Sequence, residues 1–295
     1  MTNNIYKIIR RFFLMFLYLA KPIKANASND YIRSGIDVSK WQGDIDWAKV
    51  KASGQVEFVL IRAGYGDALK YPSQIDQKFE RNYKGCKDNG IPVGVYWYSY
   101  ATTPEMARQE ARACIATLKG KRFEYPIYYD VEEMRIFNTG RTNEIIKAFC
   151  DEMEKAGYWV GIYIYRAAVQ QYLSEYTRTR WALAIAEYAN KLHYTGQCGI
   201  WQNSSTWKVD GINGNVDHDW CYVDYPTLIK ERGKNGYPKP DEKVTVTKDT
   251  PIVRFEGIAK KGSTCTVKEK KTVCGVQYGR VTDNGWISLK DCRVL

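Results

Sequence analysis

Histidine is nearly missing from this chain: His193 and His218 are the only two in 295 residues. Structural and catalytic zinc sites draw on His and Cys at characteristic spacings. Asp217-His218-Asp219 has the residue types of a metal cluster but no ligand-spacing partner, so neither a metal nor another cofactor is expected. Long apolar runs are missing too. The run Phe12–Ala20 has nine residues, too few to cross a bilayer as a stable helix, and no stable membrane anchor is expected. No Lys/Arg-rich block or nucleic-acid fingerprint occurs, which argues against a nucleic-acid partner. The formal net charge is +11, but the first 27 residues hold Lys7, Arg10, Arg11, Lys21 and Lys24 and no acid. Without them the remainder is mildly basic, at +6, enough to favour anionic polymers such as bacterial walls.

Cysteine is present, but not in the pattern of a disulfide scaffold. Five of the eight (Cys86, Cys114, Cys150, Cys198, Cys221) precede residue 235 and three (Cys265, Cys274, Cys292) follow it. Odd numbers in both regions argue against a closed framework in each, and several are expected as small buried apolar residues. A pair such as Cys265–Cys274 is conceivable. No Cys–His motif supports a cysteine peptidase.

The N-terminus has the layout of a secretory signal: Lys7, Arg10 and Arg11, then the apolar run Phe12–Ala20, then small residues at Ala25-Asn26-Ala27. Lys21 and Lys24 are atypical so near a cleavage site. A translated stretch without an export role is the other reading.

What the chain has in quantity is aromatic and apolar: 44% hydrophobic residues, with 23 Tyr and 9 Trp. From Ser34 to about Leu228, short apolar runs alternate with amphipathic stretches. The runs are Gly35–Ser39, Phe58–Gly64, Val93–Tyr98, Pro126–Asp130, Trp159–Tyr165, Trp181–Ala186 and Gly199–Gln202. Helical spacing is evident over 74–89, 104–118 and 143–156. This alternation predicts a parallel sheet of about eight strands closed into a barrel. In such barrels chemistry gathers at the C-terminal strand ends. Asp37, Arg62, Tyr98, Asp130, Glu132 and Tyr165 fall there.

Asp130 and Glu132 are two residues apart on a strand, so they project from one face. Like charges that close resist joint ionisation, leaving an acid beside a base, as glycosidic cleavage requires. Glu133 faces the other way and reads as a surface or salt-bridge residue. Gly233–Lys243 is rich in Gly, Pro and charge and reads as a linker. Beyond it, β-prone runs separated by turn signals predict a small all-β barrel, and Gly285-Trp286-Ile287-Ser288 resembles bacterial SH3-like wall-binding domains.

Four motifs in order, Gly35-Ile36-Asp37-Val38-Ser39-Lys40-Trp41-Gln42-Gly43, Phe58–Gly66, Tyr129-Asp130-Val131-Glu132 and Gly199–Gln202 followed by Gly214-Asn215-Val216-Asp217, resemble glycoside hydrolase family 25. That family comprises the N-acetylmuramidases of phage endolysins and secreted bacterial lysozymes. The resemblance spans roughly 34–228. It implies an irregular (β/α) barrel that cleaves the β-1,4 bond after N-acetylmuramic acid in peptidoglycan. It also implies an acidic quartet of Asp37, Asp130, Glu132 and Asp217. In that quartet Glu132 would be the general acid and Asp130 an electrostatic or acetamido-orienting partner. Asp37 and Asp217 would shape the groove.

Tyr65, Tyr98, Tyr165 and Trp201 are candidate sugar platforms or, equally, lids on the core. Arg62 is expected to clamp a catalytic acid or, less readily, to bind a substrate carboxylate. Asp219 is expected to be structural. The expected organisation is a signal over 1–27, a muramidase barrel over 28–232, a linker over 233–243 and a wall-binding domain over 244–295. A monomer is expected, secreted to the cell wall, or held in a host cytoplasm until lysis if phage-encoded. The alternative reading is a wall-binding protein whose barrel has lost catalysis. A chitinase-like enzyme is disfavoured, because Phe123–Glu132 lacks the upstream acids of the Asp-x-x-Asp-x-Asp-x-Glu motif.

Overall fold

A computed structural model describes residues 32–239, 243–246, 250–253, 258–259, 262–273, 276–282 and 286–294. The export segment expected over 1–27 and Cys274 lie outside the described residues. Eight strands form a closed barrel in chain order: β1 (Arg33–Val38), β2 (Phe58–Tyr65), β3 (Val93–Tyr98), β4 (Ile127–Asp130), β5 (Val160–Tyr165), β6 (Ala182–Ala186), β7 (Ile200–Trp207) and β8 (Val216–Cys221). Helices α1 (Trp47–Ala52), α2 (Phe79–Asp88) and α3 (Pro104–Leu118) cover the first half. After β4 come the single turn α4 (Met134–Phe137), then α5 (Thr142–Lys155), α6 (Arg166–Tyr172) and α7 (Glu175–Arg180), with α8 (Tyr225–Glu231) following β8.

The sheet is not parallel throughout, as the alternation had suggested. β8 runs antiparallel to both β7 and β1. A parallel crossover needs about a dozen residues or more, whereas only 208–215 separate β7 from β8. Gly211 and Gly214, with φ of 96° and 97°, take that segment through a tight reversal. The helix expected over 74–89 starts late, at Phe79, because Pro72–Gln74 forms a separate 3-10 turn. α3 begins where expected: Thr103 accepts from Met106 N at 3.2 Å and Pro104 occupies the first turn.

Strand alternation builds two packed layers and an open mouth. Val59, Ile61 and Ala63 on β2 meet the helix layer that includes Phe79, Ala107, Ile145 and Phe149. The alternate residues Phe58 and Leu60 join Tyr128, Ala184, Ile200 and Cys221 inside the barrel, where Tyr125 and Tyr225 complete the cluster. Phe58 stacks on Tyr125 with ring centres 4.3 Å apart. Glycines make room for these rings. A Cβ on Gly35 would lie 2.3 Å from Phe58 Cε1, and one on Gly161 would lie 2.5 Å from Tyr128 Cε1. One pleat step higher on β2 and β4 the inward positions turn polar, at Arg62 and Asp130.

The linker expected from 233 begins later than its composition suggests. Asn235 is fully buried and adopts a left-handed φ of 55°. Its side chain donates to Tyr125 O (2.9 Å) and accepts from Trp159 N (2.7 Å), and Tyr237 donates to Glu124. Residues 233–237 are thus fastened to the barrel. Beyond them the described strands form a five-stranded and a three-stranded antiparallel sheet, a small all-β unit with Val267, Ile287 and Leu289 buried. Cys86, Cys114, Cys150, Cys198 and Cys221 are buried, unbridged thiols.

Gly161→Ala forces a methyl group into the Tyr128 ring without changing any chemistry. Overpacking of this kind costs about 1–3 kcal/mol. The expected outcome is a matching fall in unfolding free energy by urea titration, and unchanged stability would contradict the packing described.

Candidate active site

The sheet register assembles the acids. Asp37 on β1 stands directly opposite Asp217 on β8. On β4, Asp130 pairs with Tyr163 of β5, and Val131 N donates to Tyr163 O at 2.9 Å. That bond carries the strand geometry one residue beyond β4, so Glu132 emerges on the same side as Asp130. All four carboxylates line one cavity of about 270 Å³ at the barrel mouth, together with Arg62, Tyr96, Tyr98 and Tyr163. Asp37 and Asp130 are buried, whereas Glu132 and Asp217 are half-exposed.

Crowding and burial raise the affinity of these groups for protons. Asp37 is pushed well up, first by burial and then by the charges of Asp219 and Asp217. Asp130 is raised by burial and by Glu132, against the opposing pull of Arg62. Glu132 is raised by burial, an effect that the neighbouring Tyr163 hydroxyl opposes. Asp217 is raised by burial, opposed by a hydrogen bond from Asp37. Adjacent carboxyls with raised proton affinity share protons instead of ionising together.

Two hubs hold the arrangement. Gln202 Nε2 donates to Asp37 Oδ2 at 2.6 Å, and its Oε1 accepts from Tyr163 (2.8 Å) and Tyr188 (3.1 Å). One amide therefore spans β1, β5 and the loop after β6. Asp76 is the second hub. Its Oδ2 accepts from Arg62 Nε (2.8 Å) and Lys40 N (3.0 Å), and its Oδ1 accepts from Lys78 N (2.9 Å). It ties β2 to the 3-10 turn Lys40–Gln42, which a capping box between Ser39 and Gln42 also closes. That turn presents Trp41 at the cavity lip, 76% exposed.

Several residues singled out in the sequence lie elsewhere. Arg62 lines the cavity, but its ion-pair partner is Asp76 at 2.7 Å and not one of the four acids. Trp201 is buried in the outer core with its indole N–H on Glu187 O at 2.8 Å, because the β7 pleat turns it away from the barrel interior. Tyr65 packs edge-on against Tyr100, and Tyr165 against Phe137, both outside the cavity lining. Tyr98 does line it and donates to Glu133 Oε1 at 3.0 Å. Glu133 also pairs with Arg135 at 3.5 Å.

The sequence reading missed Trp41, Tyr96, Tyr163, Tyr188 and Gln202. Tyr96 and Tyr163 each sit two residues before a tyrosine that was singled out, on the same pleat, so alternation carried the signal. Asp219 is more than structural filler: it is buried below Asp37 and raises Asp37's proton affinity, although it does not line the cavity.

A sequence profile described as glycosyl hydrolases family 25 matches residues 36–212. The chain belongs to that family. The family 25 chain is 30% identical over 214 residues to the uncharacterized protein YegX of Escherichia coli O157:H7, covering 68% of this chain and 74% of that one. It is also 30% identical over 186 residues to the autolytic lysozyme of Clostridium acetobutylicum, covering 63% of this chain and 54% of that one. Among solved structures, the modular autolysin LytC of Streptococcus pneumoniae superposes with a TM-score of 0.56 at 31% identity, over 64% of this chain and 46% of that one. LytC has also been solved with a synthetic peptidoglycan ligand. The chain is thus a member of a glycosyl hydrolase family, with relatives named as a lysozyme and an autolysin.

The buried Asp219 gives the family 25 barrel a pH signature. Burial, and then the charge of Asp217, push its carboxyl up to about 8 from 3.8. Below the lower value both folded and unfolded chains hold the proton. Between the two values only the folded chain does, and above about 8 the barrel must carry the buried charge. The contribution to stability is therefore full below the unfolded value and lost as pH rises through the folded one. Asp219→Asn removes this dependence. From pH 5 to pH 9, wild-type melting temperature is expected to fall more steeply than that of the variant, by on the order of 10 °C. Parallel curves would show that Asp219 ionises freely.

Proposed function

We propose that the protein is an N-acetylmuramidase that hydrolyses the β-1,4 bond between N-acetylmuramic acid and N-acetylglucosamine in peptidoglycan. The observation that carries this reading is the placement of Asp130 and Glu132 side by side in a cavity closed on the opposite wall by Asp37 and Asp217. The adjacent pair shares a proton, and its location is set by surroundings. Burial and the neighbouring charge raise Asp130 against the opposing pull of Arg62, and Glu132, the more accessible of the pair, is the one placed to pass the shared proton to a substrate oxygen. Glu132 then protonates the departing glycosidic oxygen. Asp130 carries negative charge where the sugar develops oxocarbenium character, or orients its 2-acetamido group. Asp37, protonated, donates to Asp217 and leaves that half-exposed carboxylate to hold water. Tyr98 and Trp41 offer apolar faces for sugar rings at the wall and lip.

The names of the autolytic lysozyme and of the peptidoglycan-bound autolysin support this substrate. We further propose secretion to the cell wall, with the C-terminal all-β unit as an SH3-like tether. The non-catalytic alternative has no observation in its favour, since the acids, the hydrogen-bond hubs and the cavity are all in place.

Glu132→Gln is expected to lower the release of reducing ends from purified peptidoglycan by about 10²–10⁴-fold, with an unchanged melting temperature. Wild-type turnover by that variant would sink the assignment. Removal of residues 240–295 is expected to reduce co-sedimentation with insoluble walls more than hydrolysis of soluble fragments. Equal losses would contradict the tether.

A further inference from the structure

The β7–β8 hairpin leaves a face of the barrel without a helix, and that face carries a second groove of about 540 Å³. Trp207 and Trp220 flank His218 edge-on, with ring centres 4.1 Å and 4.7 Å from the imidazole. His218 is itself buried, at 5% exposure, and both its nitrogens are engaged. Nδ1 lies 2.6 Å from Asn203 Oδ1 and Nε2 lies 3.0 Å from Ser34 Oγ. An amide oxygen only accepts, so Nδ1 carries the proton and Nε2 accepts from the serine hydroxyl. Burial holds the ring neutral by pushing its pKa down to about 4. The consequence falls on Asn203. With its oxygen committed to the histidine, its amide N–H₂ is the group left to donate into the groove.

The groove's chemistry is specific. Its lining contains indole rings, a phenol, amides and hydroxyls, and among the described residues no Lys, Arg, Asp or Glu. An anionic polymer or a charged stem peptide finds no partner there, whereas a neutral sugar finds flat apolar faces beside amide donors. The groove adjoins the catalytic cavity, with one residue shared between their linings. Tyr188, 61% exposed, lines both, and its hydroxyl donates to the Gln202 hub. We propose that this outer groove is a second saccharide-binding site, which takes the glycan strand where it leaves the catalytic cavity over Tyr188.

This inference rests on the muramidase reading, and its test separates the two. The full chain carrying Glu132→Gln is titrated, by calorimetry, with peptide-free peptidoglycan glycans of four and of eight sugars whose lactyl carboxyls are amidated and therefore neutral. The expected result is that eight sugars bind about tenfold more tightly than four. Adding Trp207→Ala or Asn203→Ala is expected to bring that ratio near one, while Trp207→Phe keeps most of it. The melting temperature of each variant verifies folding. If Glu132→Gln binds both lengths alike, or if the ratio survives Trp207→Ala and Asn203→Ala in folded protein, the outer site is refuted and the muramidase reading stands. If neither length binds, both fall.

Discussion

Repulsion among buried carboxyls is the constraint around which this barrel is organised. Asp37, Asp130, Glu132 and Asp217 converge on one mouth with Asp219 buried below them, and Arg62 is the single cation among the described residues that line the cavity. That cation is already committed to Asp76. Such a cluster survives burial by holding protons, and two of its members also receive a donor. Gln202 donates to Asp37, and protonated Asp37 donates to Asp217. The proton retention that relieves repulsion is also what places an acid and a base in one cavity at neutral pH.

Tolerance of that mouth depends on the floor beneath it. Inward positions at the lower level are rings and aliphatics, and the glycines opposite them accommodate the rings, as at Gly35 against Phe58 and Gly161 against Tyr128. The same strands thus bury hydrocarbon at one level and collect carboxyls at the next. The division of labour is a matter of one pleat step.

Much of this was legible in the chain. The β-α alternation gave the barrel, and the Asp130-Val131-Glu132 spacing gave the paired acids, because strand geometry has a period of two residues. The reversed β8 was not legible from periodicity, since a strand pattern carries no direction. Only the short 208–215 connection held that information. Trp201 was misplaced for the same reason that Gln202 was missed: an aromatic draws notice, but the pleat gave the interior to its neighbour. Arg62 was read correctly as needing an anion. The anion, Asp76, lies on a loop fourteen residues away that no local pattern marks.

The closing seam of the barrel has a kinetic meaning. β1 and β8 pair residues from opposite ends of the domain, and the Ser34–His218 contact alone spans 184 positions. Contacts of such long range slow the search for the native state. Asp37 and Asp217 face one another across that seam, so a partly folded chain, whether nascent or in transit, has half an active site. The four-carboxylate site is complete only once β1 and β8, the two ends of the barrel, have met.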